Sequence, residues 1–271
     1  MDTAQLDIGG RRIEYALADP DARDGIDLVM LHEGLGSVSM WRDFPEQLAM
    51  ATGCRTLVYS RFGYGCSTPL AGPRTVDYMH EEARLWLPEI LARLRIRRPI
   101  LFGHSDGASI ALIHAARPES DLRGIVALAP HVKVEEVTVH SIEAAKIAYA
   151  TTDLRSRLGR HHADVDGAFG GWNDVWLNPA FRGWNIEALL PSIRCPILAI
   201  QGEEDEYGTM EQIEIIGGAC RGSTIMRLPA CGHSPHRDQP EAVLAASREF
   251  AARIANRAGA GQDRRPRRYS V

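Results

Sequence analysis

No stretch of this 271-residue chain approaches the apolar length that spans a bilayer, and its start, MDTAQLDIGGRR, lacks the charged-then-apolar order of an export signal. Cysteine is scarce. Cys54, Cys66, Cys195, Cys220 and Cys231 make an odd number, with no C-x-x-C pair among them. That argues against a disulfide framework and against structural zinc, and the five are expected as reduced thiols in or near the core. Charge of one sign is not in excess either: a net charge of −4 gives no global pull toward nucleic acid. These absences point to a cytoplasmic protein with no membrane and no nucleic-acid partner.

What is present is an ordinary globular balance, 45% hydrophobic and 24% charged residues, long enough for one large α/β domain or a domain with an insertion. The last stretch differs. From Arg257 to Val271 it holds five arginines against one aspartate and no apolar period, so 257–271 is expected to be a basic, flexible tail.

Apolar runs recur in a fixed order. AQLDIGG and RRIEYAL alternate around Gly9-Gly10 and predict a hairpin. IDLVMLH, CRTLVYS, PILFG and LRGIVALAP read as buried strands, with helical segments between them. One of these, TVDYMHEEARLWLPEILARLRI, contains Pro88, which must kink or divide it. From 131 to 190 the residues turn helical and aromatic without strand runs; strand–helix alternation then resumes with CPILAIQG, STIMRLPA and a last helix. Alternation of this kind predicts a parallel sheet covered on both faces, with 131–190 inserted above its C-terminal edge.

Gly103-His104-Ser105-Asp106-Gly107 lies between a strand run and a helix run, the G-x-S-x-G arrangement that projects a serine from a sharp turn. Ser105 is the candidate nucleophile, and the Asp106 N–H, at a helix start, is a candidate oxyanion donor. A serine hydroxyl needs a base. The second Gly-His-Ser, at 232–234, supplies one. His233 follows Cys231-Gly232 directly and is favoured over His236; Ser234, before Pro235, sits in no elbow. An orienting carboxylate is available among Glu203, Glu204, Asp205 and Glu206, after another strand run.

Together these segments resemble the α/β-hydrolase fold family. QGEED is similar to its G-x-x-D segment, GHSPHRDQPEAV to its G-H-x6-P segment, LHEGLGS to its H-G-x-x-G oxyanion loop, and YSRFGYGCS to its D-x-R-G-x-G-x-S turn. The resemblance runs from about residue 5 to 256. It implies a mostly parallel eight-stranded sheet with helices on both faces and an inserted helical lid, with 1–130 and 191–256 as the core and 131–190 as the lid. It also implies a catalytic set Ser105, Asp205 and His233 in the family's order, with the Gly34 N–H as the partner oxyanion donor. No metal or organic cofactor is implied.

Two positions depart from the family pattern. Glu33 replaces the first glycine of the oxyanion loop, and Tyr59-Ser60 replaces the acid before Arg61. Glu33 has two readings: it bonds to loop amides or Arg61, or it places negative charge beside the substrate. Trp41, Phe169, Trp172, Trp176, Phe181 and Trp184 either line an apolar pocket or pack the lid, with Trp172 and Trp176 on one helical face. His32 and His104 read as packing and hydrogen-bonding residues rather than catalysts, and His161-His162 as surface. The chemistry expected is hydrolysis of a small carboxylic ester through an acyl-enzyme. C–C hydrolysis of ring-cleavage products, lactonase or thioesterase activity, or a ligand receptor on the same fold, are the alternatives. A serine rather than an aspartate nucleophile argues against dehalogenase or epoxide-hydrolase chemistry.

Overall fold

A computed structural model describes residues 1–19 and 25–262. Strands β1 (Thr3–Ile8) and β2 (Arg11–Ala18) form the expected antiparallel hairpin. Gly9 and Gly10 turn it with φ of 61° and 82°, a left-handed conformation that side-chained residues resist. β2 also pairs antiparallel with β4 (Arg55–Tyr59), and from there the sheet is parallel. β3 (Asp27–Leu31), β5 (Ile100–His104), β6 (Gly124–Leu128), β7 (Ile197–Gly202) and β8 (Ser223–Leu228) complete it, in the order β1-β2-β4-β3-β5-β6-β7-β8. β5, β6 and β7 are buried at every position, which is why they read as continuous apolar runs rather than alternating ones.

Helices cover both faces. α1 (Phe44–Thr52) leads the first layer. α2 (Tyr78–Glu81) and α3 (Leu87–Arg93) are one helical rod interrupted at Glu82–Trp86 by a π turn, the irregularity that precedes Pro88. α4 (Asp106–Ala115) follows β5 and is buried along its whole length. Between β6 and β7 come α5 (Glu136–Thr151), α6 (Leu154–Leu158) and α7 (Val165–Trp176), then two 3-10 turns. A bridge between Lys133 and Asn185 ties the two ends of this segment together. α8 (Glu211–Ala219), α9 (Pro235–Asp238) and α10 (Pro240–Gln262) complete the chain. Ile110, Ile213 and Ile216 pack in the core on one face of the sheet; Phe44, Leu48, Val243 and Phe250 pack on the other.

Two expectations need correcting. α10 continues through Gln262, into the stretch expected to be flexible; the remainder of that stretch lies outside the described residues. Cys66 is exposed rather than in or near the core. No described helix is long and apolar enough to cross a membrane.

From β3 the chain steps outward to β4, then crosses to β5 on the far side of β3. At such a reversal the loops leaving the C-terminal strand ends diverge and open a crevice. The loops after β3, β5, β6, β7 and β8 all reach that crevice.

Candidate active site

Ser105 follows β5 directly, at φ 53° and ψ −119°, a strained conformation for a non-glycine residue. The two flanking glycines permit it. A Cβ on Gly103 would stand 2.5 Å from the Ala108 backbone, and one on Gly107 2.1 Å from the Leu31 carbonyl oxygen. The Ser105 N–H donates to the Leu128 carbonyl at 2.9 Å, fixing the turn to the end of β6.

The loops after β7 and β8 touch across Gly202, where a Cβ would meet the Cys231 carbonyl oxygen at 2.0 Å. This contact brings Asp205 and His233 together. Asp205 Oδ1 lies 2.8 Å from His233 Nδ1 and accepts from the N–H groups of Tyr207 (2.8 Å) and Gly208 (3.1 Å). Burial alone would raise the Asp205 carboxyl, but the hydrogen bond and charge of His233 outweigh it and hold it below the usual range. With Nδ1–H committed to Asp205, His233 Nε2 is an acceptor, and the Ser105 hydroxyl donates to it at 2.9 Å. Of the four acids in that loop, Asp205 alone bonds the ring; Glu206 instead accepts the His233 backbone N–H at 3.0 Å. His236 has no hydrogen bond to Ser105. It is buried against Trp41 and His104, with ring centroids at 4.7 and 4.8 Å.

The loop after β3 is held by its carbonyls. The Glu33 carbonyl accepts from His32 Nδ1 at 2.6 Å and from Arg61 Nη2 at 3.0 Å, and the His32 carbonyl accepts from Arg61 Nη1. In a trans peptide the N–H opposes the carbonyl, so these bonds also fix the direction of the Gly34 N–H. Among the described residues no hydrogen bond within the protein takes up the N–H of Gly34 or of Asp106, and both residues line the cavity at Ser105. The Trp172 ring presses on Gly34, 2.2 Å from where a Cβ would stand. The Asp106 carboxylate is buried below, accepting from the Tyr78 hydroxyl (2.5 Å) and from Trp176 Nε1 (3.3 Å). Burial raises its pKa, against the pull of Arg61 and Tyr78.

The cavity over Ser105 measures about 140 Å³. Glu33, Trp172 and Trp176 line it, and so do His131, Thr138, Ile142 and Tyr207, which the sequence does not single out. Trp41 does not. It is 3% exposed and packs in the core against Phe44, Phe102 and His236. Phe169 stacks on Tyr149 at 3.7 Å, and Phe181 on Trp184 at 5.6 Å, so of their two readings these three follow the packing one. The Glu33 carboxylate bonds neither loop amides nor Arg61. It faces His104 Nδ1 at 3.5 Å and Arg237 at 3.6 Å, whose charges and hydrogen bonding overcome burial and hold it well below the usual range. His104 in turn donates from Nε2 to the His233 carbonyl at 2.7 Å.

His162 is not at the surface. It is 5% exposed, accepting from the Gly65 N–H and donating to the Leu35 carbonyl; its neighbour His161 bonds to Ser39 Oγ. The carboxylate missing before Arg61 is supplied from β2. Buried Glu14 accepts the Ser60 hydroxyl at 2.7 Å and the Cys66 N–H at 3.0 Å.

Buried histidines make folding acid-sensitive. Burial holds His32, His131 and His236 below the usual 6.5, His131 at about 3. The unfolded chain protonates these rings below about pH 6.5 while the folded protein does not. Their stabilisation is therefore intact above that pH and declines as pH falls, each ring adding a slope of up to about 1.4 kcal/mol per pH unit. Urea midpoints measured at pH 7 and pH 5 are expected to drop clearly; equal midpoints contradict the burial of these rings.

The alpha/beta hydrolase family model matches residues 28–246, the greater part of the chain and the region that carries this geometry. The chain belongs to the alpha/beta hydrolase family. It is similar to the mouse (Mus musculus) serine hydrolase BPHL, 25% identical over 248 residues, spanning 86% of this chain and 81% of the mouse protein. Among solved structures it is similar to a proline iminopeptidase from Mycobacterium smegmatis (TM-score 0.72, 18% identity, 95% of this chain and 100% of that one). It is also similar to an enol-lactonase from Burkholderia xenovorans (TM-score 0.73, 19% identity, 92% and 100%). At these identities the structural likeness establishes the fold of this hydrolase and not its substrate.

Proposed function

We propose that this member of the family is a serine esterase that cleaves small carboxylic esters through an acyl-enzyme. The observation that carries the reading is the unbroken hydrogen-bonded line from Asp205 through His233 to the Ser105 hydroxyl, at 2.8 and 2.9 Å. As Ser105 Oγ attacks the ester carbonyl carbon, its proton passes to His233 Nε2 and the carbonyl π pair moves onto oxygen. Asp205 stabilises the resulting imidazolium. The oxyanion is received by the N–H groups of Gly34 and Asp106, each worth about 3 kcal/mol in such a site. Collapse breaks the bond to the alcohol, which leaves with the proton from His233. Water then gives His233 a proton and attacks the acyl carbon, and the acid is released as Ser105 regains its hydrogen.

The helices between β6 and β7 act as the lid in this reading, with Trp172 and Trp176 as its contact with the substrate. A cavity of about 140 Å³ suits a short acyl group, about the size of a benzene ring by comparison with the ~150 Å³ apolar cavities that hold benzene. The ionised Glu33 beside it disfavours acyl groups that carry their own carboxylate. In a panel of p-nitrophenyl esters, lactones and acyl-CoA thioesters, short neutral esters are expected to be the best substrates. They should exceed carboxylate-bearing esters by at least about tenfold, the equivalent of ~1.4 kcal/mol of repulsion. E33Q should shrink that contrast. Preferential turnover of lactones or thioesters rejects the ester assignment, and an unchanged contrast in E33Q rejects the role of Glu33. Covalent labelling of Ser105 by a fluorophosphonate separates an enzyme from a receptor.

A further inference from the structure

Ser105 Oγ touches a second imidazole. His131, three residues past β6, places Nε2 at 3.3 Å from it, on a ring that is 2% exposed. The position is built rather than incidental. The Ser109 hydroxyl, one turn along α4 from Ser105, donates to the His131 carbonyl at 2.6 Å and accepts the His131 N–H at 3.1 Å. The same helix therefore positions both the nucleophile and this ring, and Trp176 closes over it edge-on at 5.0 Å.

Proton counting assigns the direction of the contact. The Ser105 hydroxyl has one hydrogen, and it is given to His233, whose own Nδ1–H is committed to Asp205. His131 must therefore be the donor to Oγ, protonated at Nε2 and bare at Nδ1. Its Nδ1 is buried without a hydrogen-bond partner among the described residues, as a bare acceptor tolerates better than an N–H. Burial and the neighbouring His233 keep the ring neutral, with a pKa of about 3.

We propose that His131 is a further catalytic residue, donating its Nε2–H to Ser105 Oγ and stabilising that oxygen while it carries negative charge. This rests on the esterase reading above. As the Oγ proton moves to His233, the oxygen becomes a charged acceptor, and a hydrogen bond to it roughly doubles in strength. The contact is thus stronger in the transition state than in the resting enzyme, the condition for accelerating a step. The same holds when the acyl-enzyme is hydrolysed: the C–Oγ bond breaks, its electron pair goes to Oγ, and His233 returns the proton. His131 keeps its own proton throughout.

The test compares wild type, H131F and H131Q by fluorophosphonate labelling and by burst kinetics with a short-chain p-nitrophenyl ester. Glutamine restores an N–H near the Nε2 position; phenylalanine fills the space without one. H131F is expected to slow both acylation and deacylation by roughly 10- to 100-fold, with KM within about threefold, and H131Q to recover a substantial part of both rates. Rates for H131F within twofold of wild type overturn the proposal, and so do equal losses in H131F and H131Q, which mark a packing role. Wild-type protein that is turned over but never labelled at Ser105 overturns the esterase reading together with it. Labelled wild type with H131F labelled as fast overturns this proposal alone.

Discussion

Replacing His233 with alanine is expected to lower kcat/KM by roughly 10⁴- to 10⁶-fold while leaving the fold intact. His233 is the group placed to take the Ser105 proton, at 2.9 Å, and its ring sits at the cavity edge rather than in the core. A loss of 10⁴-fold corresponds to about 5.5 kcal/mol of transition-state stabilisation. His131, although it touches the same oxygen, cannot take over. A base that holds a proton only below about pH 3 has almost no affinity for the one Ser105 must surrender, and among the described residues no carboxylate bonds its other nitrogen. The S105A/H233A double variant should therefore be no worse than either single variant, because the pair acts as one unit. D205N should lose about 10⁴-fold, since an amide can stabilise the wrong tautomer of the ring. Initial rates on a short p-nitrophenyl ester, with far-UV circular dichroism as the folding control, check all four proteins. An H233A enzyme within 100-fold of wild type removes His233 from the role of base.

The parts legible in the sequence are those determined by neighbours in the chain. Gly103, Ser105 and Gly107 announce the elbow because a strand, a turn and a helix follow each other within a dozen residues, and the glycines are required by the turn itself. The hairpin at Gly9-Gly10 is legible for the same reason. Asp205 was not separable from Glu203, Glu204 and Glu206 by composition, because only the contact of its loop with Cys231 decides which acid meets the ring. His131 carries no local signal at all. Its place depends on a staple to Ser109, 22 positions away, and on the pairing of β6 with β5. The burial of His162 is hidden for a related reason: adjacent histidines at the end of a helical stretch look solvated, yet the Gly65 amide bonded to one of them lies 97 positions earlier. Trp41 adjoins the loop after β3 in sequence, but the 3-10 turn at Val38–Trp41 directs its ring into the core. Glu14 shows how a buried carboxylate can migrate from the expected strand to its neighbour while serving the same turn.

Substituting alanine at Gly107 is expected to damage stability and activity together. The new Cβ would stand 2.1 Å from the Leu31 carbonyl oxygen and 2.5 Å from its carbon, both backbone atoms of β3. A side-chain neighbour could rotate away, but a strand hydrogen-bonded on both edges cannot: β3 is paired to β4 on one side and β5 on the other. The strain must be relieved by moving α4 outward. Overpacking of this kind costs about 3 kcal/mol or more, at the upper end of the usual range because no flexible group can yield. For a chain of this size that corresponds to a melting point lower by roughly 6–12 °C. Moving α4 also displaces its start, where Ser105 precedes the helix and the Asp106 N–H begins it, so the surviving folded protein should lose kcat by about 10²-fold or more as one proposed oxyanion donor falls out of line. G170A provides the control. Its Cβ would come no nearer than 3.6 Å to the end of the Asp174 side chain, ordinary contact, so its melting point should stay within about 2 °C of wild type. A G107A protein that melts with wild type and turns over at the same rate contradicts the close approach of α4 to β3 on which the elbow depends.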